Sequence, residues 1–343
     1  MLEIEKSSND FSQLLSEGNY QQDRGWVASA VQGNVVTFIK PNVPSPSKVY
    51  VWFKATRAIS LTATLMPALA TLLLCVVLGY SIDNVVIIPA LIAMLLLQIS
   101  VNLFNDVADY TRLIDLPNTL GGAGMIQSGW LTAKQVSKGA WSSLLLACVL
   151  AIPAIVKAPQ YVLICAFLAG LGVLGYSGKP FHFKYRAMGD VLVFLLCGPV
   201  LTAGVSLVAS NLLTQEIMAL GLFFGLLSCT ILNANNINDI NIDSARGAKT
   251  LAGILGFQGA RWLQVGYYAS AIMMLICLVL LVDYWLLLPL LGLGLVIIQI
   301  RKLFAARKCD EASLDEVRFD AAKIHLMMSL LLCVGLGLAI AFA

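Results

Sequence analysis

Charge is scarce in this sequence: 12% of its 343 residues are Asp, Glu, Lys or Arg, where an average soluble domain carries about 25%. With so little polar material a soluble fold of this length has no way to cover its core. Net charge is only +3, which excludes a basic nucleic-acid binder and gives no reason to expect a polyanionic macromolecular partner. There are two histidines and no CxxC pair, so a His/Cys metal cluster is excluded. Seven of the eight cysteines, Cys75, Cys148, Cys165, Cys197, Cys229, Cys277 and Cys333, lie in apolar runs and read as small buried hydrophobes. The alternating ten-residue segments of a membrane β-barrel are also missing.

What is abundant is apolar length. Hydrophobic residues make up 59% of the chain, and the mean hydropathy is +0.84. Nine runs are long enough to cross a hydrocarbon layer of about 30 Å. They fall near 56–80, 85–107, 135–156, 161–177, 188–209, 214–237, 261–282, 284–301 and 322–342. Lipid offers no partner for a bare backbone N–H or C=O, so each run is expected to be a helix. The expected fold is therefore an all-α polytopic membrane protein of about nine transmembrane helices around a central cavity. Residues 1–50 are polar and mixed and form an N-terminal segment outside the membrane, with Pro41, Pro44 and Pro46 stiffening the approach. Residues 51–343 form the transmembrane domain.

Charge placement orients the chain. Arg112, Lys134, Lys179, Lys184, Arg186, Arg246, Lys249, Arg301 and Lys302 lie in or beside the connections after spans 2, 4, 6 and 8. The connections after spans 1, 3, 5 and 7 hold Lys157 and no other cation. By the positive-inside rule the N-terminus and the basic loops face the cytosol, which in a bacterial source would make this an inner or plasma membrane protein. The central cavity is expected to open on that side.

Two helix ends on that side carry acids. Span 2 closes with Asn102-Leu-Phe-Asn105-Asp106-Val-Ala-Asp109, followed by Asp115; span 6 closes with Asn235-Asn236-Ile-Asn238-Asp239-Ile-Asn-Ile-Asp243. Residues three or four apart share a helix face, so Asn102 stacks on Asp106, Asn105 on Asp109, and Asn235, Asp239 and Asp243 form one column. Carboxylates at a membrane edge are costly unless water, cations or a metal offset them. Asp carboxylates with neighbouring Asn amides are hard oxygen ligands suited to Mg2+, which also takes phosphate oxygens. Two such clusters facing each other make a diphosphate clamp. Solvated, capped helix ends are the plainer reading of one such motif; two on the same side favour the clamp. An ion-coupled secondary transporter is the alternative from another class, but its sites belong near the midplane on broken helices, and these acids end their helices.

Four stretches carry a resemblance to a known family: Lys54-Ala-Thr-Arg57-Ala-Ile-Ser-Leu-Thr with Pro67; NLFNDVADY; GYSGKPFHFKYRAMGD at 175–190 with Gly198-Pro199; and NNINDINIDSARGAKTLAGILG at 235–256. The sequence resembles the UbiA superfamily of intramembrane aromatic prenyltransferases, and most resembles its 1,4-dihydroxy-2-naphthoate polyprenyltransferase branch of menaquinone synthesis. The resemblance covers about 54–260. It departs in one place: after Asp115 the chain has no cation before Lys134, where many relatives carry an Arg.

The resemblance implies transfer of a polyprenyl group from an allylic diphosphate to an aromatic acceptor, with 4-hydroxybenzoate or homogentisate as alternatives to the naphthoate. It implies Mg2+ held by Asp106, Asp109, Asp239 and Asp243, with Asp115 as a further catalytic carboxylate. Asn102, Asn105 and Asn235 would complete or orient that shell. Arg57, Lys179, Lys184, Arg246 and Lys249 are the candidate diphosphate cations, each of which the positive-inside rule also explains. Tyr176, Phe181 and Tyr185 are candidates for a π-rich wall, and small residues such as Gly170, Gly172 and Gly204 for an isoprenoid groove. Asp115, Asp190 and His182 are open candidates for the base.

Overall fold

The computed structural model describes residues 1–117, 122–309 and 314–342. Among these, eight helical stretches are long and apolar enough to cross a membrane, namely Ala58–Val77, Asn84–Thr111, Ala133–Lys157, Gly189–Ser210, Gln215–Ala245, Leu251–Leu281, Tyr284–Ala305 and Val317–Ala341, some of them built from two consecutive helices. They correspond one to one with eight of the nine apolar runs. The remaining run forms a shorter apolar helix, Pro159–Gly175. The chain is thus a helical integral membrane protein.

The helices are α3 (Thr62–Val77), α4 (Asn84–Thr111), α5 (Ala133–Lys157), α6 (Pro159–Gly175), α7 (Gly189–Leu196), α8 (Pro199–Ser210), α9 (Gln215–Ala245), α10 (Leu251–Leu281), α11 (Leu293–Ala305) and α12 (Val317–Ala341). Before them come β1 (Leu2–Glu5), α1 (Asn9–Glu17), β2 (Asn19–Tyr20), β3 (Asp23–Arg24), β4 (Val27–Gln32), β5 (Val35–Ile39) and α2 (Lys48–Ala55).

Local chemistry sets the helix ends. Thr132 and Gln135 form a reciprocal capping box at the start of α5, which satisfies two otherwise orphaned N–H groups. Pro159 occupies the first turn of α6, where its missing N–H costs nothing, so α5 and α6 join in a tight hairpin. Near 188–209 the sequence suggests one span, but the structure breaks it into α7 and α8 at Gly198-Pro199. A side chain on Gly198 would stand 2.4 Å from the Gly221 carbonyl oxygen. The break therefore comes with close backbone contact against α9.

Between helices, buried polar groups pair with one another, as a membrane interior demands. Asn233 donates to Gln264 Oε1 at 2.8 Å, and Tyr268 donates to Gln299 Oε1 at 2.6 Å. At the end of the bundle remote from the acids, Lys157 bonds both Asp83 and the Val208 carbonyl. That ties the ends of α4, α5 and α8 together.

The N-terminal segment folds as a small sheet of order β1-β5-β4, antiparallel throughout, with α1 beside it. Its buried face, including Leu14, Val27, Val36 and Phe38, shares one hydrophobic cluster with Tyr110, Met125, Ile126 and Leu131. The sheet thus sits on the loop between α4 and α5.

Candidate active site

The first acidic motif occupies the last two turns of α4. Asp106 is 6% exposed and Asp109 3%, so both carboxylates need partners. Asp106 Oδ1 is paired with the Arg57 guanidinium, and Asp106 Oδ2 accepts from the Ala123 backbone N–H at 3.2 Å. Asp109 Oδ1 accepts from the Tyr185 hydroxyl at 2.6 Å. Asp109 Oδ2 accepts from Lys184 Nζ at 2.7 Å and from the Asn105 amide at 3.0 Å.

Arg57 reaches Asp106 from a strained turn. Its φ is +55°, a left-handed conformation that an ordinary side chain adopts only at a cost. Asn102 holds that turn: its amide donates to the Thr56 carbonyl at 3.0 Å and to Ser60 Oγ at 2.7 Å, while its own carbonyl accepts from Gln98. Asn102 therefore positions Arg57.

Asp115 comes in from the loop beyond α4, where the backbone N–H groups of Ile114 and Asp115 both turn back to the Asp109 carbonyl. A third wall is Gly122, with φ +65°. A Cβ built there would lie 3.0 Å from Asp106 Oδ1, 3.1 Å from Asp115 Oδ2 and 3.2 Å from Arg57 Nη2. Two acids and a guanidinium thus converge on a point that only glycine leaves empty. Residue chemistry alone does not single out Gly122 and Ala123; their signal in the sequence is the Gly-Gly-Ala-Gly string soon after the acids.

The second motif ends α9. Asp243 is buried, Asp239 and Asn235 half-buried. Lys184 and Asp109 are charged neighbours of Asp239, and Lys184, Asp239, Asp109 and Asp115 of Asp243. Lys184 is thus a charged neighbour shared by the two acidic helix ends, and Arg318 is a second one for Asp239. Arg246 locks them, donating from Nη1 to the Leu113 carbonyl at 2.5 Å and also to that of Ile114. Lys249 contributes its backbone: its carbonyl accepts from Ala187 N–H at 2.7 Å, and its N–H donates to the Tyr185 carbonyl at 3.2 Å. The Lys249 and Lys179 side chains are exposed, and neither forms an ion pair with a carboxylate among the described residues.

The electrostatics follow from this crowding. Burial pushes the Arg57 guanidinium down, but Asp106 and Asp109 outweigh it and hold it above its ordinary value. Lys184 shows the same balance against Asp109. Burial and the Asp109 charge push Asp115 up to about 7. Burial draws Arg246 down, opposed by Asp115 and Asp243. Burial raises Tyr176 to about 12 and also raises Tyr185, where Asp109 adds to the effect.

Of the other candidate bases, Asp190 accepts from the Tyr267 hydroxyl at 2.9 Å and is buried. His182 contacts the Ser177 carbonyl oxygen and Arg112. Arg112 also lies over the Tyr185 ring at 4.1 Å.

An apolar cavity of about 300 Å³ opens from this cluster. Arg57, Asn102, Asn105 and Tyr176 line its polar end, and Ala154 and Val208 its far end. Among the described residues no group of three or more Asp, Glu, His or Cys side chains stands close enough together to hold a metal ion by itself. The donors are instead oxygen atoms spread over two helix ends and a glycine-lined gap. Such a set suits Mg2+, which takes few carboxylates and fills its shell with phosphate and water.

The comparisons with known proteins agree with this architecture. A 1,4-dihydroxy-2-naphthoate octaprenyltransferase of Escherichia coli K12 is 28% identical over 269 residues, covering 75% of this chain and 85% of the relative. A Mycobacterium tuberculosis protein of the same name is 31% identical over 183 residues, covering 53% and 62%. Among solved structures, a UbiA homolog from Archaeoglobus fulgidus bound to GPP and Mg2+ matches with a TM-score of 0.56 at 13% identity, over 82% of this chain and 99% of that one. A digeranylgeranylglyceryl phosphate synthase matches with a TM-score of 0.56 at 18% identity, over 84% and 98%. The model of the UbiA prenyltransferase family matches residues 56–341, and the chain belongs to that family.

Proposed function

We propose that this membrane prenyltransferase moves a polyprenyl group from an allylic diphosphate to 1,4-dihydroxy-2-naphthoate, with decarboxylation, in menaquinone synthesis. One observation carries the reading. Acids from α4 and α9 gather around Arg57, Lys184 and Arg246, and Arg57 and Asn105 of this cluster also line the polar end of an apolar cavity, which matches a donor with a charged head and a long greasy tail. The names of the relatives support the acceptor, and the homolog bound to GPP and Mg2+ supports the donor and the metal.

In this reading Asp106, Asp109, Asp239 and Asp243 hold Mg2+, with Asn105 and Asn235 orienting the shell. Bound Mg2+ neutralises the charge that grows on the departing diphosphate. Arg57 and Lys184 turn from the carboxylates towards the diphosphate oxygens and stabilise the same charge as the C–O bond breaks. The allylic cation left behind sits by Tyr176, which lines the polar end of the apolar cavity. The aromatic acceptor attacks through its electron-rich ring, and the carboxyl group leaves as CO2. Asp115 takes the phenolic proton as the ring attacks and returns it when loss of CO2 gives the ring back its electron pair; of the three candidate bases it is the one that shares the Gly122 gap with Asp106 and Arg57. The N-terminus and the acidic helix ends face the cytosol, as the loop cations indicate.

The test is a membrane assay with a polyprenyl diphosphate and a panel of acceptors: the dihydroxynaphthoate, 4-hydroxybenzoate and homogentisate. The expected result is a prenylated, decarboxylated naphthoate product that disappears with EDTA and with Asp106→Asn or Asp239→Asn. Product with another acceptor alone would replace the acceptor. Activity that survives both substitutions would end the clamp.

A further inference from the structure

The loop that walls the acid cluster has no regular structure of its own. Residues 122–131 turn on themselves: Ser128 N–H bonds the Gly124 carbonyl, and the Trp130 and Leu131 N–H groups bond the Met125 carbonyl. Their links to the site are the Ala123 N–H to Asp106 and the Gln127 amide to the Asp115 carbonyl at 3.3 Å. Yet Gly122 stands where a Cβ would lie 3.0–3.2 Å from two carboxylates and a guanidinium. Something outside the loop has to hold it there.

The N-terminal sheet is in place to do so. Met125 and Ile126 are 2% and 3% exposed and share a cluster with Leu14, Val27 and Phe38. Gly129 runs so close to the N-terminal segment that a Cβ there would meet Pro41 Cγ at 3.4 Å and Val27 Cγ2 at 3.6 Å. The Ala28 backbone N–H donates to the Tyr110 hydroxyl at 3.0 Å, in a buried bond. Tyr110 is the residue after Asp109, so this bond fixes the sheet to the last turn of the acidic helix. Lys134 at the start of α5 pairs with Glu17 at the end of α1, at 2.5 Å. The loop is thus gripped from its apolar side, while its opposite side faces the acids. The family match begins at residue 56, so the sheet lies outside the part that the family shares.

We propose that the N-terminal sheet is a positioning clamp for the diphosphate end of the site. The hydrophobic cluster that Leu14, Val27 and Phe38 form with Met125, Ile126 and Leu131, with Val27 against Gly129, holds Gly122 and Ala123 against Asp106 and Asp115. The sheet touches neither substrate; it acts through the loop. The inference rests on the proposed role of these acids in gripping a Mg2+-diphosphate.

Full-length protein in lipid nanodiscs decides it, with Leu14→Ala and Phe38→Ala to loosen the clamp, Tyr110→Phe to remove its hydrogen bond, and Phe38→Leu as the conservative control. Hydrogen exchange is read by peptide, and steady-state kinetics follow each substrate. The clamp predicts faster exchange over 122–131 with peptides of α9, α10 and α12 unchanged. It also predicts a several-fold higher KM for the polyprenyl diphosphate and a higher Mg2+ requirement, with the acceptor KM unmoved and Phe38→Leu near wild type. Unchanged exchange over 122–131 in a variant whose sheet peptides exchange faster would overturn it. A loosened loop with unaltered diphosphate and Mg2+ dependence would overturn it as well. If the wild type shows no prenyl transfer, the proposed function fails, and the exchange data still decide whether the sheet holds the loop.

Discussion

Lys184 Nζ bonds Asp109 Oδ2 at 2.7 Å and Asn105 Oδ1 at 3.0 Å, so a single ammonium, 20% exposed, joins the middle loop to the first acidic motif. It is also the charged neighbour shared by Asp239 and Asp243. Lys184→Met therefore removes the cation central to both acid clusters and leaves Asp109 with the Tyr185 hydroxyl and the Asn105 amide alone. The expected loss in kcat is about 10²-fold or more, as for other groups that stabilise growing negative charge. Lys179→Met, in the same loop but exposed, should change turnover little. Equal effects of the two substitutions would show that loop charge, and not the Lys184 contact, matters.

Gly122→Ala tests the gap. The substitution carries a left-handed backbone cost of about 1–2 kcal/mol and puts a methyl group at 3.0–3.2 Å from Asp106, Asp115 and Arg57. Turnover should fall and the Mg2+ requirement rise, while Gly124→Ala should leave both close to wild type. Gly124 has a positive φ too, but open space around it. If both variants behaved alike, backbone strain and not crowding of the carboxylates would be responsible.

The cavity predicts a donor-length effect. Gly204 lies along its wall, and a Cβ there would sit at ordinary contact distance, 3.7 Å, from Cys165 and Met94. Gly204→Ala should be tolerated. Gly204→Phe would project into the apolar space and should keep geranyl transfer while losing octaprenyl transfer. Paired assays with the two donors check this, and an equal loss with both would place the tail elsewhere.

The raised Asp115 carboxyl gives a pH dependence. Its folded value of about 7 lies above the unfolded value of about 4. Between those limits the folded protein binds more protons than the unfolded chain, so stability falls as pH rises from about 4 to about 7 and is then level. The cost above pH 7 is on the order of a few kcal/mol at most. Thermal unfolding in EDTA at pH 5 and pH 8 measures it. Asp115→Asn should reduce the difference in Tm between the two; an unchanged difference would assign the dependence to other groups.

Much of this protein is legible one residue at a time. The spans were readable because lipid forces every apolar run of sufficient length into a helix. Asp106, Asp109, Asp239 and Asp243 stood out because acids are costly at a membrane edge. Other features depend on neighbours that are distant in sequence. Lys179 and Lys184 share one loop and look equivalent as text, but only Lys184 turns inward to Asp109. Asn102 is close to the acids in the sequence, but that its amide holds the Arg57 turn is visible only in the structure. The N-terminal sheet pairs β1 with β5, a contact between the two ends of its segment that no local pattern announces.

Hydropathy determined the membrane fold class, because solvation in lipid acts on each segment separately, and the resemblance of four stretches pointed to the family. The tertiary structure decided which cation meets which acid, why position 122 must be glycine, and what the first forty residues press against. Those are packing contacts between segments far apart in the chain, and their energies exist only once the helices have come together.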